Sequence, residues 1–519
     1  MNDDIPEAND KTGRGARPAL IEDFAIVGLY GYRTISLSSR YAATILIAKN
    51  GSGKTTLIGA LDAFLKGQFT RLRDLNFSEI KCRLRGIEGE LSITHDDIVE
   101  FLDVPIDSEI ARYARRIEVE PSALFRFVTE DYSTLRDDYR ALNDDSIYAA
   151  IHRTSGYRRA EVAAVCERLA ASVAGKNARI EAIRSAIGTV LKGIEIVYLP
   201  TYRRIELPLI PDAKEYKHSG RKASPFKFSA GSLFTGDIQF GLSDISEHLS
   251  ALNQTILIDS NHGYRQISAN IINELIDGAF ENAYIEENAI PTKDELELFF
   301  SRLKEGGRMG PYLDDVSVPN IDKIYTGNDI PADSSKFLRY FLSKLNTVIM
   351  ATRDIEVRVE EFIQSCNKYL SSKELSTSLP PGGSSEARRQ PSQDDKVLRL
   401  NRRNLNVHAE SLIGGRKIPL DALSSGEKQM VSLFAKLFLY PNDKIFLIDE
   451  PELSLSMDWQ REILVDVINA PRCQQVIAIT HSPFVFDNDL EPFAKALQIS
   501  VDLSALPPQA DDAGGDSGE

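Results

Sequence analysis

The eight residues Ala48 to Thr55, AKNGSGKT, set two glycines, a lysine and a threonine in a spacing suited to phosphate. Gly51 and Gly53 let successive backbone N–H groups turn inward around an anion. Lys54 supplies a positive charge for the β- and γ-phosphates of ATP, and Thr55 supplies a hydroxyl for Mg²⁺. Asn50, Ser52 and Thr56 complete the candidate ATP-binding set. Ala48 stands where glycine commonly opens such a loop, but it precedes the stretch that touches phosphate, so a methyl group fits if φ stays negative. Far downstream, Asp449 and Glu450 adjoin at the end of the apolar run IFLI, and His481 follows VIAIT. Asp449 can orient the water shell of Mg²⁺, and Glu450 can take a proton from an attacking water. His481 can hydrogen-bond a γ-phosphate or help orient that water. Each residue alone has a plainer reading, since acidic pairs and single histidines also end strands for structural reasons.

These groups need elements to aim them. ATILI (43–47) is a short apolar run fit for a buried strand, and TTLIGALDAFL places Leu57, Ile58, Leu61 and Phe64 or Leu65 on one helical face. The glycine loop between them gives the strand, loop and helix order that a phosphate cradle requires. Farther on, LSSGEKQ (423–429) reads as a helix cap, followed by Met430, Leu433, Phe434 and Leu437 on an apolar side. Phe337, Phe341, Leu345 and Val348 recur at helical spacing after an Asp333-Ser334 cap. Gly414-Gly415, between LNVHAESLI and RKIPL, is a hairpin signal, and His408 within it reads as structural.

At 519 residues the chain is long for one core. No apolar run approaches the roughly 20 residues that cross a bilayer, and the first residues lack a secretion signal, so we expect a cytoplasmic protein without a membrane partner. Cys82, Cys166, Cys366 and Cys473 are scattered, which fits reduced thiols rather than a zinc site or a disulfide framework. A net charge of −15 opposes indiscriminate binding to nucleic acid, although local basic clusters stand at 113–116, 202–204, 217–222 and 399–403.

Within about sixty residues, LSSGEKQ, IFLIDE, PELSLS and VIAITHS follow one another downstream of the glycine loop. In that order they resemble the signature, Walker B, D-loop and switch histidine of ABC-type ATPases. The resemblance implies an α/β fold, an ABC-type P-loop ATPase head with a mixed β-sheet flanked by helices. It also implies that Ser424, Ser425, Gly426 and Glu427 bind the γ-phosphate held by another subunit, so each complete site needs two chains, as a homodimer or higher. The long distance from loop to signature resembles the SMC, RecF-like and OLD group, in which a largely helical insertion interrupts the head. LYGYR (29–33), VYLPTYRRIE (197–206), QFGLSDISEHL (239–249) and DEPELSLSMDWQ resemble segments of the ATPases of Septu and retron-associated anti-phage systems, the PtuA family.

The sequence departs from the ABC pattern in its D-loop, where Ser456 is followed by Met457 and Asp458. Gln68 and Gln239 are both candidates for the Q-loop glutamine, and Tyr30, Tyr32 and Arg33 could approach the base or ribose, although the two tyrosines read more simply as strand-filling aromatics. We expect a polar arm over 1–17, an N-terminal lobe of the head over 18–128, a helical insertion over 129–192 and a return to the head over 193–240. A helical arm over 241–372, a linker over 373–395, a C-terminal lobe over 396–500 and an acidic tail over 501–519 follow. Neither a Toprim domain, an HNH-type Cys/His constellation nor a P-D-(D/E)-x-K core is recognisable. The Septu resemblance therefore implies a regulatory ATPase serving a separate HNH nuclease, and its retron versions add a reverse transcriptase with its RNA–DNA product. A RecF- or SMC-like DNA-repair clamp, gripping duplex through basic segments that include Arg203 and Arg204, is the alternative.

Overall fold

Ile21, Phe24, Ile26 and Leu29 are all buried along β1 (Ile21–Leu29), the middle strand of an antiparallel sheet. It pairs with β2 (Arg33–Ser38), after which ATILI forms β3 (Ala43–Ile47) and the glycine loop leads into α1 (Lys54–Leu65). β4 (Glu79–Leu84) and β5 (Leu91–Thr94) extend the sheet on the other side of β1. In this computed structural model the protein is described over residues 13–132, 142, 145–155, 158–173, 177–200, 242–278, 289–306, 319–326, 330–371 and 395–502.

Helices α2 (His95–Leu102), α3 (Glu109–Ile117), α4 (Pro121–Arg126), α5 (Ser146–Thr154), α6 (Arg159–Val173) and α7 (Ala178–Val190) come next. Thr94 and Asp97 form a capping box at the start of α2, and Asp145 and Asn177 cap α5 and α7 with their side chains. These caps satisfy amides that the first turn of a helix leaves without partners. β6 (Ile194–Leu199) returns to a sheet. The expected insertion over 129–192 is not a separate body. Ile147, Tyr148, Ile151, Val162, Cys166, Leu169, Ile180 and Ile187 share one core with Phe24, Leu57 and Phe64, because their apolar faces have the head to bury against.

The chain divides into two units, one of 1–238 with 442–519 and the other of 239–441. In the second, α8 (Leu242–Ile276), α9 (Lys293–Gly306), α10 (Ile321–Thr326) and α11 (Ala332–Leu370) bury Phe299, Phe300, Leu303, Leu342 and Leu345 together. α11 begins after Pro331 rather than at an Asp333-Ser334 cap, since the fixed φ of proline already suits a helix start. β7 (Lys396–Asn401), β8 (Asn406–Ser411) and β9 (Lys417–Ile418) form a small antiparallel sheet, with Gly414 and Gly415 at positive φ in the turn. α12 (Ser425–Leu439), carrying the LSSGEKQ segment, packs on α11. The expected lobe of 396–500 is therefore split at 441, because the helix after the signature buries Met430 and Phe434 within the unit of long helices.

The first unit resumes with β10 (Asp443–Asp449), α13 (Met457–Asn469), β11 (Cys473–Thr480), β12 (Ala494–Ala496) and β13 (Gln498–Val501). β13 joins the edge of the first sheet, while β12, β3, β11, β10 and β6, in that order, make a parallel sheet. α1 touches β1 of the antiparallel sheet and both β10 and β6 of the parallel one. Buried Gln475 ties the sheets together, accepting from the Leu20 and Ile21 amides at 2.9 and 2.8 Å and donating to the Ile21 carbonyl. The architecture is mixed α/β, with sheets flanked by helices.

The ends differ from expectation at their inner margins. Arg14 and Arg17 donate to the Ala470 and Cys473 carbonyls at 2.7 Å, which fixes residues 13–17 on the first unit. Val501 belongs to β13, and the Asp502 amide donates to Tyr32. Residues 1–12, the basic segments 202–204 and 217–222, Gln239, all of the expected linker except Asp395 and residues 503–519 of the expected tail lie outside the described residues.

Candidate active site

β3 hands its chain directly to the glycine loop. The Ala48 amide donates to the Thr480 carbonyl of β11 at 3.2 Å, and Ala48 keeps the negative φ that its methyl group requires. Gly51 has φ 78°, and a Cβ built there would point into open space, the hollow a phosphate would fill. Gly53 caps α1 with φ 92°, and its Cβ would fall 2.6 Å from Ile35 Cδ1, so glycine is needed on both grounds. Lys54, Thr55 and Thr56 open the helix, placing their side chains and the helix N-terminus beside that hollow.

Lys54 is buried. Its Nζ donates to Glu450 Oε1 at 2.8 Å and to Asn50 Oδ1 at 3.2 Å. The Thr55 hydroxyl donates to Asp449 Oδ2 at 2.6 Å. Ser52 Oγ is buried without a hydrogen-bond partner in the protein, as expected of a loop side chain whose partner is a ligand. β10 delivers Asp449, and the next residue leaves the strand at once, with Glu450 at φ 53° and its amide bonded to the Ile479 carbonyl at 2.8 Å. A left-handed glutamate is strained, and surrounding structure must hold it there. β11 ends at Thr480, so His481 follows, its Nδ1 3.8 Å from Glu450 Oε1.

The structure thus gathers Asn50, Lys54, Thr55, Asp449, Glu450 and His481 from three separated segments of one unit. The chemistry of the donors fits a nucleotide with Mg²⁺. Among the described residues no three His, Cys, Asp or Glu cluster to hold a metal alone, so Thr55 and Asp449 would need phosphate oxygens and water to complete an octahedral shell. Ser424, Ser425, Gly426 and Glu427 belong to the other unit. There Ser424 and Glu427 form a capping box at the start of α12, and Lys396 donates to both Glu427 oxygens at 2.9 and 2.8 Å.

Sequence reasoning missed Glu452. This buried carboxylate accepts from the His481 backbone amide at 3.1 Å and lies 2.9 Å from His481 Nδ1. Its position in the PELSLS turn was the available signal, an acid two residues beyond Glu450. Gln68 accepts from Arg71 at 2.7 Å and so serves the loop after α1. Tyr30 is not strand-filling. It sits half-exposed in the β1–β2 turn at φ 55°, with the Arg33 guanidinium 5.3 Å from its ring centre.

A family profile described as "AAA domain, putative AbiEii toxin, Type IV TA system" matches residues 311–487, which include the signature, Asp449, Glu450 and His481. The matched stretch does not extend to the glycine loop of 48–55. No curated protein matches the sequence. Among solved structures, the Smc head domain with a coiled coil and joint from Pyrococcus yayanosii is similar at 14% identity and a TM-score of 0.29, over 93% of this chain and 96% of that one. An SmcHead bound to the C-winged helix domain of ScpA is similar at 17% identity and a TM-score of 0.18, over 32% of this chain. The chain spans 48% of that structure's length. Likeness at these scores says nothing about function. Among the described residues no helix is long and apolar enough to cross a membrane.

Proposed function

We propose that this chain binds and hydrolyses ATP at sites completed by a second copy, and that the cycle regulates a separate effector in an anti-phage defence complex. The observation that carries the ATPase reading is the convergence of Lys54 with Glu450 and of Thr55 with Asp449, at 2.8 and 2.6 Å, across nearly four hundred residues of sequence. Mg²⁺, when bound with the nucleotide, would neutralise phosphate charge. Lys54 carries the charge that meets the terminal phosphates, and the Gly51 to Thr55 amides line the hollow. Moving Lys54 toward phosphate frees the Glu450 carboxylate to take a proton from water. His481, beside Glu450, orients that water or donates to the γ-phosphate. The N-terminus of α12, with Ser424, Ser425 and Gly426, is the anion-binding end that a second copy would present, and Lys396 and the capping box hold it in shape.

The defence role rests on the Septu-like segments LYGYR, VYLPTYRRIE and DEPELSLSMDWQ. In this reading the effector is an HNH nuclease on another chain, with a reverse transcriptase and its RNA–DNA product in retron versions, and head engagement is the bistable element.

The test begins with Mg²⁺-dependent phosphate release by the purified chain. Lys54→Ala and Ser424→Ala should each be inactive. A mixture should recover about a quarter of wild-type turnover, since half the dimers are mixed and each holds one intact site. No recovery from two well-folded variants would refute sites shared between copies. Purification from the native host should bring an HNH protein along. DNA-stimulated turnover that falls steeply with salt, with no nuclease present, would favour the repair-clamp reading instead.

A further inference from the structure

The turn after Glu450 does more than end a strand. Glu450 and Ser454 both take left-handed φ values, 53° and 63°, and between them the chain folds back so that Glu452 is buried under the histidine loop. Glu452 Oε1 accepts the His481 backbone N–H at 3.1 Å, and the ring Nδ1 of the same histidine lies 2.9 Å from that oxygen. Gln460 repeats the tie, donating to the Glu452 and Leu455 carbonyls at 3.3 and 3.0 Å while accepting from Ser482 Oγ at 2.9 Å. We infer that Glu452 is the positioning residue for His481. This rests on the proposed ATP hydrolysis and deepens it.

The chemistry follows from what a carboxylate can do. It only accepts, so Nδ1 must carry the hydrogen, which leaves the lone pair of the neutral ring on Nε2. With both Nδ1 and the backbone amide on one oxygen, the ring and its loop are fixed as a unit. The half-exposed imidazole can then offer only Nε2 to a ligand or water. A merely structural role suits Glu452 poorly. Its other oxygen, Oε2, is buried without a hydrogen-bond partner, an arrangement that costs stability where an apolar side chain would not.

Two measurements test this. The first uses the wild-type protein without nucleotide: ¹⁵N shifts of His481, assigned by comparison with His481→Ala, should report the Nδ1–H tautomer. An Nε2–H ring would overturn the inference whatever the variants do. The second is turnover. Glu452→Ala should lower kcat about 10- to 100-fold, as losing an orienting partner of a functional histidine commonly does, with KM for ATP within about threefold. Glu452→Gln, whose carbonyl can accept both hydrogens, should keep the tautomer and return most of the turnover. The Glu452→Ala/His481→Ala double variant should be no slower than His481→Ala alone. Unchanged kcat in Glu452→Ala, alongside a deep loss in His481→Ala, would overturn the positioning role and leave the ATPase reading standing. A wild-type protein that released no phosphate would sink that reading instead, while the tautomer would still decide this one.

Discussion

Replacing Glu450 by Gln should tighten ATP binding as well as stop turnover. Lys54 Nζ is 2.8 Å from Glu450 Oε1, and the two side chains are 6% and 17% exposed. A phosphate entering the loop must therefore take the ammonium away from a carboxylate. A hydrogen bond to a charged group contributes about 1.5–3 kcal/mol. Gln would keep an oxygen acceptor in place, and the exposed part of Glu450 already admits water, so we assign about 1–1.5 kcal/mol to the charge that the substitution removes. That corresponds to about 5- to 12-fold tighter binding. The assay is calorimetric titration with ATP in EDTA, which suppresses Mg²⁺-dependent turnover in the wild type. His481→Ala is the control, since it leaves the Lys54 contact intact, and its affinity should stay within about twofold. Equal or weaker binding by Glu450→Gln would show that the ion pair does not compete with phosphate.

Other substitutions probe the scaffold. Gly53→Ala should lower stability by about 2–4 kcal/mol, combining left-handed strain with a Cβ 2.6 Å from the buried Ile35 side chain, whereas Gly51→Ala, facing open space, should cost about half as much. Thermal unfolding compares them, and equal shifts would discount the Ile35 contact. Burial pushes the Glu130 carboxyl up to about 7, with the Arg184 ion pair and the bonds from Thr70 only partly offsetting it. A carboxyl whose pKa is raised on folding stabilises fully below its unfolded value and loses that contribution as pH rises through the folded one. Stability of the first unit should therefore decline between pH 4.5 and about 7, and Glu130→Gln should flatten that slope in unfolding temperatures taken across the range. An unchanged slope would mean that Glu130 is ionised throughout.

The glycine loop was legible because it is local. Strand, glycines, lysine and helix lie within some twenty residues, and the positive φ of Gly51 and Gly53 is what the spacing demanded. The parallel order of β3 beside β11, and of β11 beside β10, was not, because it depends on pairing distant segments that periodicity cannot choose between. Glu452 escaped notice for a related reason. Its partner is a histidine 29 residues away, and only the turn set by Glu450 and Ser454 brings them together. The helices of 146–190 read as an insertion because their stripes do not reveal which surface covers them. The capping box of α12 was visible as Ser424 and Glu427, but the grip of Lys396 on that glutamate crosses 31 residues.

The place of β3 has a consequence for biogenesis. Both of its neighbours in the sheet, β11 and β12, are translated more than four hundred residues after it. At about 5–20 residues per second, the ribosome would take roughly 20–85 s to supply β11, and until then ATILI has no permanent mate. The chain must shelter that apolar edge while the intervening segment is made, so prematurely terminated products should be prone to aggregate and to need chaperones.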